Sequence, residues 1–237
     1  MEFILNYKID FIAFLCFCAC WFGYAVFSDL KKDDDHSIFK IMYDFRIRWM
    51  DQMIYRKDRT SDTRVISSLM QSVTFFASTS IFIIAGLISI MSSFGKASEV
   101  LQNIPFTSAS DPIMWKIKSI VLIVIFIYVF FKNSWALRQL NYCFILIVSA
   151  PVLQEGEKMS DDAVIYTRKI AKLFSNASRH FDLGIRGYYF GFAALSWLIS
   201  PYLFIITSIL VLFVTYRREF MSKALQFLSY KTDQLTK

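Results

Sequence analysis

The chain has 237 residues, 56% hydrophobic and 18% aromatic, with a mean hydropathy of +0.45. Soluble domains carry about 45–50% apolar and about 25% charged residues; at 19% charged this composition excludes an ordinary soluble domain and points to an integral membrane protein. The formal net charge of +7 does not signal nucleic acid, because the positive residues flank apolar blocks and no basic module interleaved with aromatics is present.

The first block, Phe11 to Phe27, is 17 residues without charge. It lacks the basic leader and small-residue cleavage site of a signal peptide, so a retained span over about 9–27 is expected. Cys16, Cys18 and Cys20 fall inside it and Cys143 in a later apolar run. There a thiol behaves as a small hydrophobe, and neither disulfide nor metal site is expected. His36 follows in KKDDDHS, read as a solvated loop. From Ile38 the apolar residues Ile41, Met42, Phe45, Trp49 and Met53 share one helical face. With Ser37 as N-cap and Asp44 four residues before Arg48, this reads as an amphipathic helix lying at the cytoplasmic membrane surface.

After a turn near Lys57 to Thr60, a helix starting at Ser61-Asp62 is expected to run to Phe94, spanning over 65–94, with no charge from Val65 to Gly95. Ala77, Ala85, Ser89 and Ser93 lie on one line of it and Ser68, Ser72 and Ser80 on another. Small residues at that interval suit helix packing; the alternative is a hydroxyl-lined path using Ser72, Thr79 and Ser80.

Ser110-Asp111-Pro112 is a strong helix start, with Lys116 and Lys118 following at the interface. No breaker appears before Pro151, so a span over 113–133 should continue to about 150. On it Ser134, Arg138 and Asn141 share a face; Arg138 is either a snorkelling anchor or, turned inward, a partner for Asp62 or Asp182. Arg168, Lys172, Ser175, Arg179, Asp182 and Arg186 then recur on one helical face, ending where Gly184 and Gly187 should loosen the helix. The final block, 187–216, reads as one helix kinked at Pro201; a hairpin through a Ser200 N-cap and Pro201 first turn is the alternative.

Orientation follows from the basic residues of short loops. Ser28 to Arg64 holds nine Lys or Arg and Lys96 to Trp115 one. The segments 28–64 and 134–186 should therefore be cytoplasmic and the N-terminus periplasmic. A single last helix would leave Arg217, Arg218, Lys223, Lys231 and Lys237 outside, against the rule, whereas the hairpin returns them.

The segments RWMDQMIYRKDRTSDT, SSLMQSVTFFASTSI, FFKNSWALRQLNYC, SRHFDLGIRGYYFGFAALSWLISP and YRREF occur in the order of a family of small bacterial and plant membrane proteins, a domain of unknown function, which the chain resembles from about Tyr43 to Phe220. The resemblance implies a multi-spanning membrane protein with no activity to carry over, and marks Arg48, Trp49, Arg138, Asn141, Arg179 and Arg186 as motif positions.

The expected fold class is all-α: a polytopic membrane helix bundle of about four transmembrane helices plus amphipathic cytoplasmic helices, one membrane domain over 1–237. No HExxH, Gly-rich phosphate loop or spaced Cys/His set occurs, and His180 has no triad geometry with Ser178 or Asp182 two residues away. No catalytic residue, metal or cofactor is expected, and a lipid- or quinone-linked enzyme ranks third. The leading expectation is a homo-oligomeric channel or carrier for small anions in a bacterial inner membrane, its basic cytoplasmic vestibule built from Arg48, Asp62, Arg64, Arg138, Asn141, Arg179, Asp182 and Arg186. Ser72, Thr79, Ser80, Ala85 and Ser89 would pack helices or line the path. The alternative is a scaffold or accessory subunit of a membrane complex. Expected partners are a bilayer with anionic headgroups and copies or subunits of a complex, with no nucleic acid.

Overall fold

The computed structural model describes residues 7–31, 37–92, 111–154, 156–221 and 227–228. His36, Ser93, Ser110, Lys223, Lys231 and Lys237 lie outside them. The protein is all-α, with six α-helices among the described residues: α1 (Lys8–Leu30), α2 (Ile38–Met53), α3 (Thr60–Ser92), α4 (Pro112–Ser149), α5 (Asp161–Leu195) and α6 (Pro201–Phe220). Three of these, α1, α3 and α4, are long and apolar enough to cross a membrane. At 1.5 Å per residue the 23 residues of α1 reach about 35 Å, against a hydrocarbon core of about 30 Å.

Local chemistry places the helix ends. Ser37 is extended, and its hydroxyl accepts the Phe39 N–H at 3.3 Å to cap α2. Asp58 accepts both the N–H and the hydroxyl of Thr60, at 2.9 and 2.6 Å, where α3 begins. These bonds favour its ionised form and hold its carboxyl below the usual range. Proline opens α4, which then runs 38 residues and stops just before Ala150-Pro151. Its orphan C-terminal carbonyls are answered by one side chain, because the Arg59 guanidinium donates to the carbonyls of Ile147, Ala150 and Pro151 at 2.9, 2.6 and 2.8 Å.

The block 187–216 is a helical hairpin, which replaces the expected single kinked helix. Helix α5 ends at Leu195, a 3-10 turn covers Ser196–Leu198, and Ser200 is extended before Pro201 opens α6. The Thr207 hydroxyl lies 2.8 Å from that of Ser196 and donates to the Ala193 carbonyl at 3.3 Å. Arg218 donates to the Tyr189 hydroxyl at 3.2 Å, so α6 folds back along the end of α5. Proline ends one helix and starts the next because it lacks the N–H that continuity requires.

The chain divides into two compact units. Unit 1 takes Met1–Lys31, Thr79–Val129 and Ile185–Met221. Its core is aromatic: Trp21 stacks on Phe190 at 5.5 Å, Trp197 stacks on Phe204 at 4.9 Å, and Phe17 meets both Phe190 and Phe204. Helices α1 and α6 run parallel here, with Phe14 against Trp197 near one end and Phe27 against Phe220 at the other.

Unit 2 takes Lys32–Ser78, Phe130–Gly184 and Ser222–Lys237. Met50, Met53, Ile66, Val73, Leu140, Cys143, Ile170 and Phe174 form its core. One side of α2 packs into this core through Met50 and Met53, with Tyr43, Ile47 and Trp49 against it and Trp49 edge-on to Phe174 at 5.7 Å. An amphipathic stripe reads the same whether its apolar solvent is lipid or a neighbouring helix.

The glycines of α5 do not loosen it. A Cβ on Gly187 would stand 2.5 Å from Val129 Cγ2, and one on Gly191 2.8 Å from Phe126 Cζ. Within unit 2, a Cβ on Gly184 would stand 2.8 Å from the Asn133 side chain. These positions let α5 approach α4 closely. Gly187→Ala and Gly191→Ala are expected to lower stability by about 1–3 kcal/mol through overpacking. Gly86→Ala, where a Cβ meets nothing within 4 Å, should be neutral or raise it by up to about 1 kcal/mol. Thermal unfolding in detergent measures all three.

Candidate functional site

In unit 2, α2 and α5 bring together a charge and two hydroxyls that sequence spacing does not connect. Arg46 donates through Nη1 to Ser175 Oγ at 3.1 Å and through Nη2 to Ser178 Oγ at 3.0 Å, across 129 and 132 residues. Its guanidinium carbon lies 4.9 Å from the Phe174 ring centroid, an electrostatically favourable stacking. Nε is buried with no hydrogen-bond partner. Among the described residues, no carboxylate comes within salt-bridge reach of this guanidinium. Burial pushes its pKa below the ordinary value, while the more distant Asp182 charge opposes that shift; an arginine nevertheless stays cationic at any working pH.

The result is a positive charge held by neutral groups. Each serine oxygen accepts from the guanidinium, which leaves both O–H bonds polarised as donors. Such a set suits an anion, since a desolvated cation without a counter-charge in direct contact is costly. Burial first, then the charges of Lys132 and Arg179, hold His180 below its usual pKa, and its Nδ1 is buried without a partner.

Residues 12–224 match the family model described as "Protein of unknown function, DUF599". The chain belongs to this family. No curated protein and no solved structure matches it.

The residues expected to build a vestibule in this DUF599 chain are distributed otherwise. Asp62 is 1% exposed and accepts from Trp49 Nε1 and Arg56 Nη1, both at 2.6 Å. Arg138, the partner expected for it, is exposed, donates from Nε to the Tyr142 hydroxyl at 2.9 Å and lies over Trp135. The expected latch between them is absent: helical periodicity places residues on a face of one helix but does not set how two helices are rotated against each other. Arg48 lies over the Phe45 ring at 5.7 Å, and Asp44 pairs with Lys40 at 3.3 Å in place of Arg48. Arg64 and Asn141 are exposed. Asp182 is exposed, and neither it nor the half-buried Arg179 is without a partner. The periodic basic face of α5 is largely a row of ties: in unit 2 Arg168 meets Asp51 at 3.0 Å and Ser175 holds Arg46.

Arg186 belongs to unit 1. It grips Glu219 through Nη2 at 2.8 Å to both carboxylate oxygens and donates through Nη1 to Ser28 at 3.0 Å. Glu219 also accepts from Ser28 at 2.8 Å and from the Tyr24 hydroxyl. At the opposite end of α1, Lys118 is 1% exposed, 2.8 Å from Asp10, which also accepts from Trp197 Nε1 at 2.8 Å. This pair was invisible in the chain order, since Lys118 reads as an interface anchor; the one available hint was an acid and a base at matching depth in two spans.

The hydroxyls expected to line a path sit in different settings. Ser72 is exposed and donates to its own helix at the Ser68 carbonyl, whereas Ser80 is buried against the Tyr188 hydroxyl at 2.8 Å. Thr79 is half-buried, and Ala85 and Ser89 are exposed. Among the described residues no group of three His, Cys, Asp or Glu side chains is placed to hold a metal ion, and all four cysteines are free.

Two outcomes test these assignments. Asp62→Ala should cost about 1–3 kcal/mol, because it strands the half-buried Trp49 donor and the Arg56 charge, while Arg138→Ala should stay within about 0.5 kcal/mol. Because the folded state keeps His180 neutral below its ordinary pKa of 6.5, stability is complete above that value and falls as pH drops through it. A Tm series from pH 7.5 to 5.5 should show this slope, flattened in His180→Gln.

Proposed function

We propose that this chain is an integral membrane protein that takes a small anion at Arg46 and passes it as a channel or carrier. The observation that carries the reading is the Arg46 guanidinium, answered by two serine hydroxyls and by no carboxylate within salt-bridge reach among the described residues. An oxyanion of sulfate or phosphate size would complete the site with the two hydroxyl donors and the guanidinium charge.

The hairpin supports the orientation that goes with this reading. It brings Arg217 and Arg218 of α6 to the end of unit 1 that also carries Lys31, so these two arginines accord with the positive-inside rule if that end faces the cytoplasm of a bacterial inner membrane and the N-terminus lies outside. A reporter fused after Lys237 should then give a cytoplasmic signal, matching one inserted after Lys31; a periplasmic signal at Lys237 sinks this topology.

The second reading is a subunit or scaffold, favoured by the exposed Ala85, Gly86 and Ser89 on α3, where another helix, of a second copy or a partner, can approach closely. One experiment separates the two. With sulfate at a hundredfold over its Kd, the purified protein should gain about 2.7 kcal/mol of stability, and Arg46→Gln should abolish the gain. Proteoliposomes should pass sulfate or chloride at least tenfold faster than those holding Arg46→Gln. Equal stabilisation of both proteins removes the site, and a stabilised protein without flux in any oligomeric state favours the subunit reading.

A further inference from the structure

Helices α1 and α6 leave a groove of about 520 Å³ along the outside of unit 1. Its walls include Ala19, Gly23 and Phe27 from α1 and Ile209, Phe213 and Tyr216 from α6, and they are almost wholly apolar. Gly23 forms an open stretch of the wall, since a Cβ there would meet nothing within 4 Å. From Ala19 to Phe27 the groove rises about 12 Å, close to the roughly 15 Å depth of one leaflet's hydrocarbon.

Its two ends differ. At the Phe27 end, Lys31 Nζ is held over the rings of Phe27 and Phe220, 5.1 and 5.6 Å from their centroids. Arg217 follows Tyr216 directly and is exposed, as is Arg218. Among the described residues no carboxylate lies within salt-bridge reach of Lys31 or Arg217. The acid nearest in sequence to Arg217, Glu219, is already engaged by Arg186, Ser28 and Tyr24. Asp29 stands two residues from Phe27, on a different face of α1.

We propose that this groove is a binding site for an anionic phospholipid, one acyl chain lying between α1 and α6 and the headgroup phosphate meeting Lys31 and Arg217. The charge argument selects the occupant. An apolar groove alone suits any hydrocarbon or a second copy of the chain, but a groove one leaflet deep with exposed cations at one end, and no carboxylate among the described residues in salt-bridge reach of Lys31 or Arg217, matches an amphiphile with a negative head. The proposal concerns unit 1 alone and stands or falls independently of the Arg46 reading.

The test is native mass spectrometry of the full-length chain after incubation with phosphatidylglycerol or phosphatidylcholine of the same acyl composition. Wild type should retain phosphatidylglycerol in preference to phosphatidylcholine. Lys31→Gln and Arg217→Gln should each weaken phosphatidylglycerol retention about fivefold, and Lys31→Arg should restore it. Gly23→Leu, which projects into open space, should expel both lipids while leaving the Tm unchanged, with Gly23→Ala giving a smaller loss should the larger variant fold poorly. Maleimide labelling of Cys20, which also lines the groove, should slow when phosphatidylglycerol is added. Equal retention of the two lipids by wild type, or wild-type retention in both glycine variants, overturns the proposal. So does oxidative cross-linking of Cys20 between copies at high yield, which would make a second chain the occupant.

Discussion

Charge inside an apolar helical body must be answered by the chain itself, because neither hydrocarbon nor a packed core supplies the solvation that water gives. Nearly every buried ionic group described above obeys this constraint, and the solutions determine which helices are neighbours. Lys118 and Asp10 join α4 to α1, and Trp197 brings in the turn between α5 and α6. Arg186 and Glu219 close the α5–α6 hairpin, with Ser28 and Tyr24 tying it to α1. In unit 2, Asp51 with Arg168 and Asp62 with Arg56 perform the same service. Against that pattern Arg46 stands out among the described residues as a buried guanidinium bonded to two hydroxyls, with the Asp182 charge acting from beyond salt-bridge reach, which is why the functional reading rests there.

The parts of this fold that were legible in the sequence are those governed by neighbours in the chain. Ser37 caps α2 where its hydroxyl and spacing implied, and Asp111-Pro112 starts a helix that runs unbroken to Ser149, because caps and proline act within one turn. The parts that were not legible depend on how helices are rotated against one another. Arg138 and Asn141 share a face of α4, as their spacing implied, but Arg138 is exposed, and Asp62 found Trp49 and Arg56 instead. Ser175 stood in the periodic basic row of α5, yet its role comes from an arginine 129 residues away. The break at Ser200-Pro201 was visible as an option, and what decides for the hairpin is the tertiary pairing of Thr207 with Ala193 and Arg186 with Glu219.

Glycine in α5 shows how the same residue carries opposite meanings. By propensity Gly184, Gly187 and Gly191 weaken a helix. Among membrane helices there is little hydrophobic drive to associate, so attraction comes from close van der Waals contact and the missing side chain becomes the useful feature. Val129 and Phe126 occupy the space that β-carbons at Gly187 and Gly191 would have filled, while Gly23 and Gly86 face open space. Only packing distinguishes the two kinds.

The carboxylate of Glu219 has a temporal consequence as well as a spatial one. It bonds to Ser28 and Tyr24 across 191 and 195 residues, so α1 is tied to a helix that is synthesised long after it. At about 5–20 residues per second, α1 waits roughly 10–40 s for that partner. During that interval the chain holds a half-finished assembly in which Arg186, made 33 residues before Glu219, is synthesised ahead of its counter-ion. The final turn of α6 therefore acts as the closing step of biogenesis for unit 1, and a chain truncated before it would leave that closure unmade.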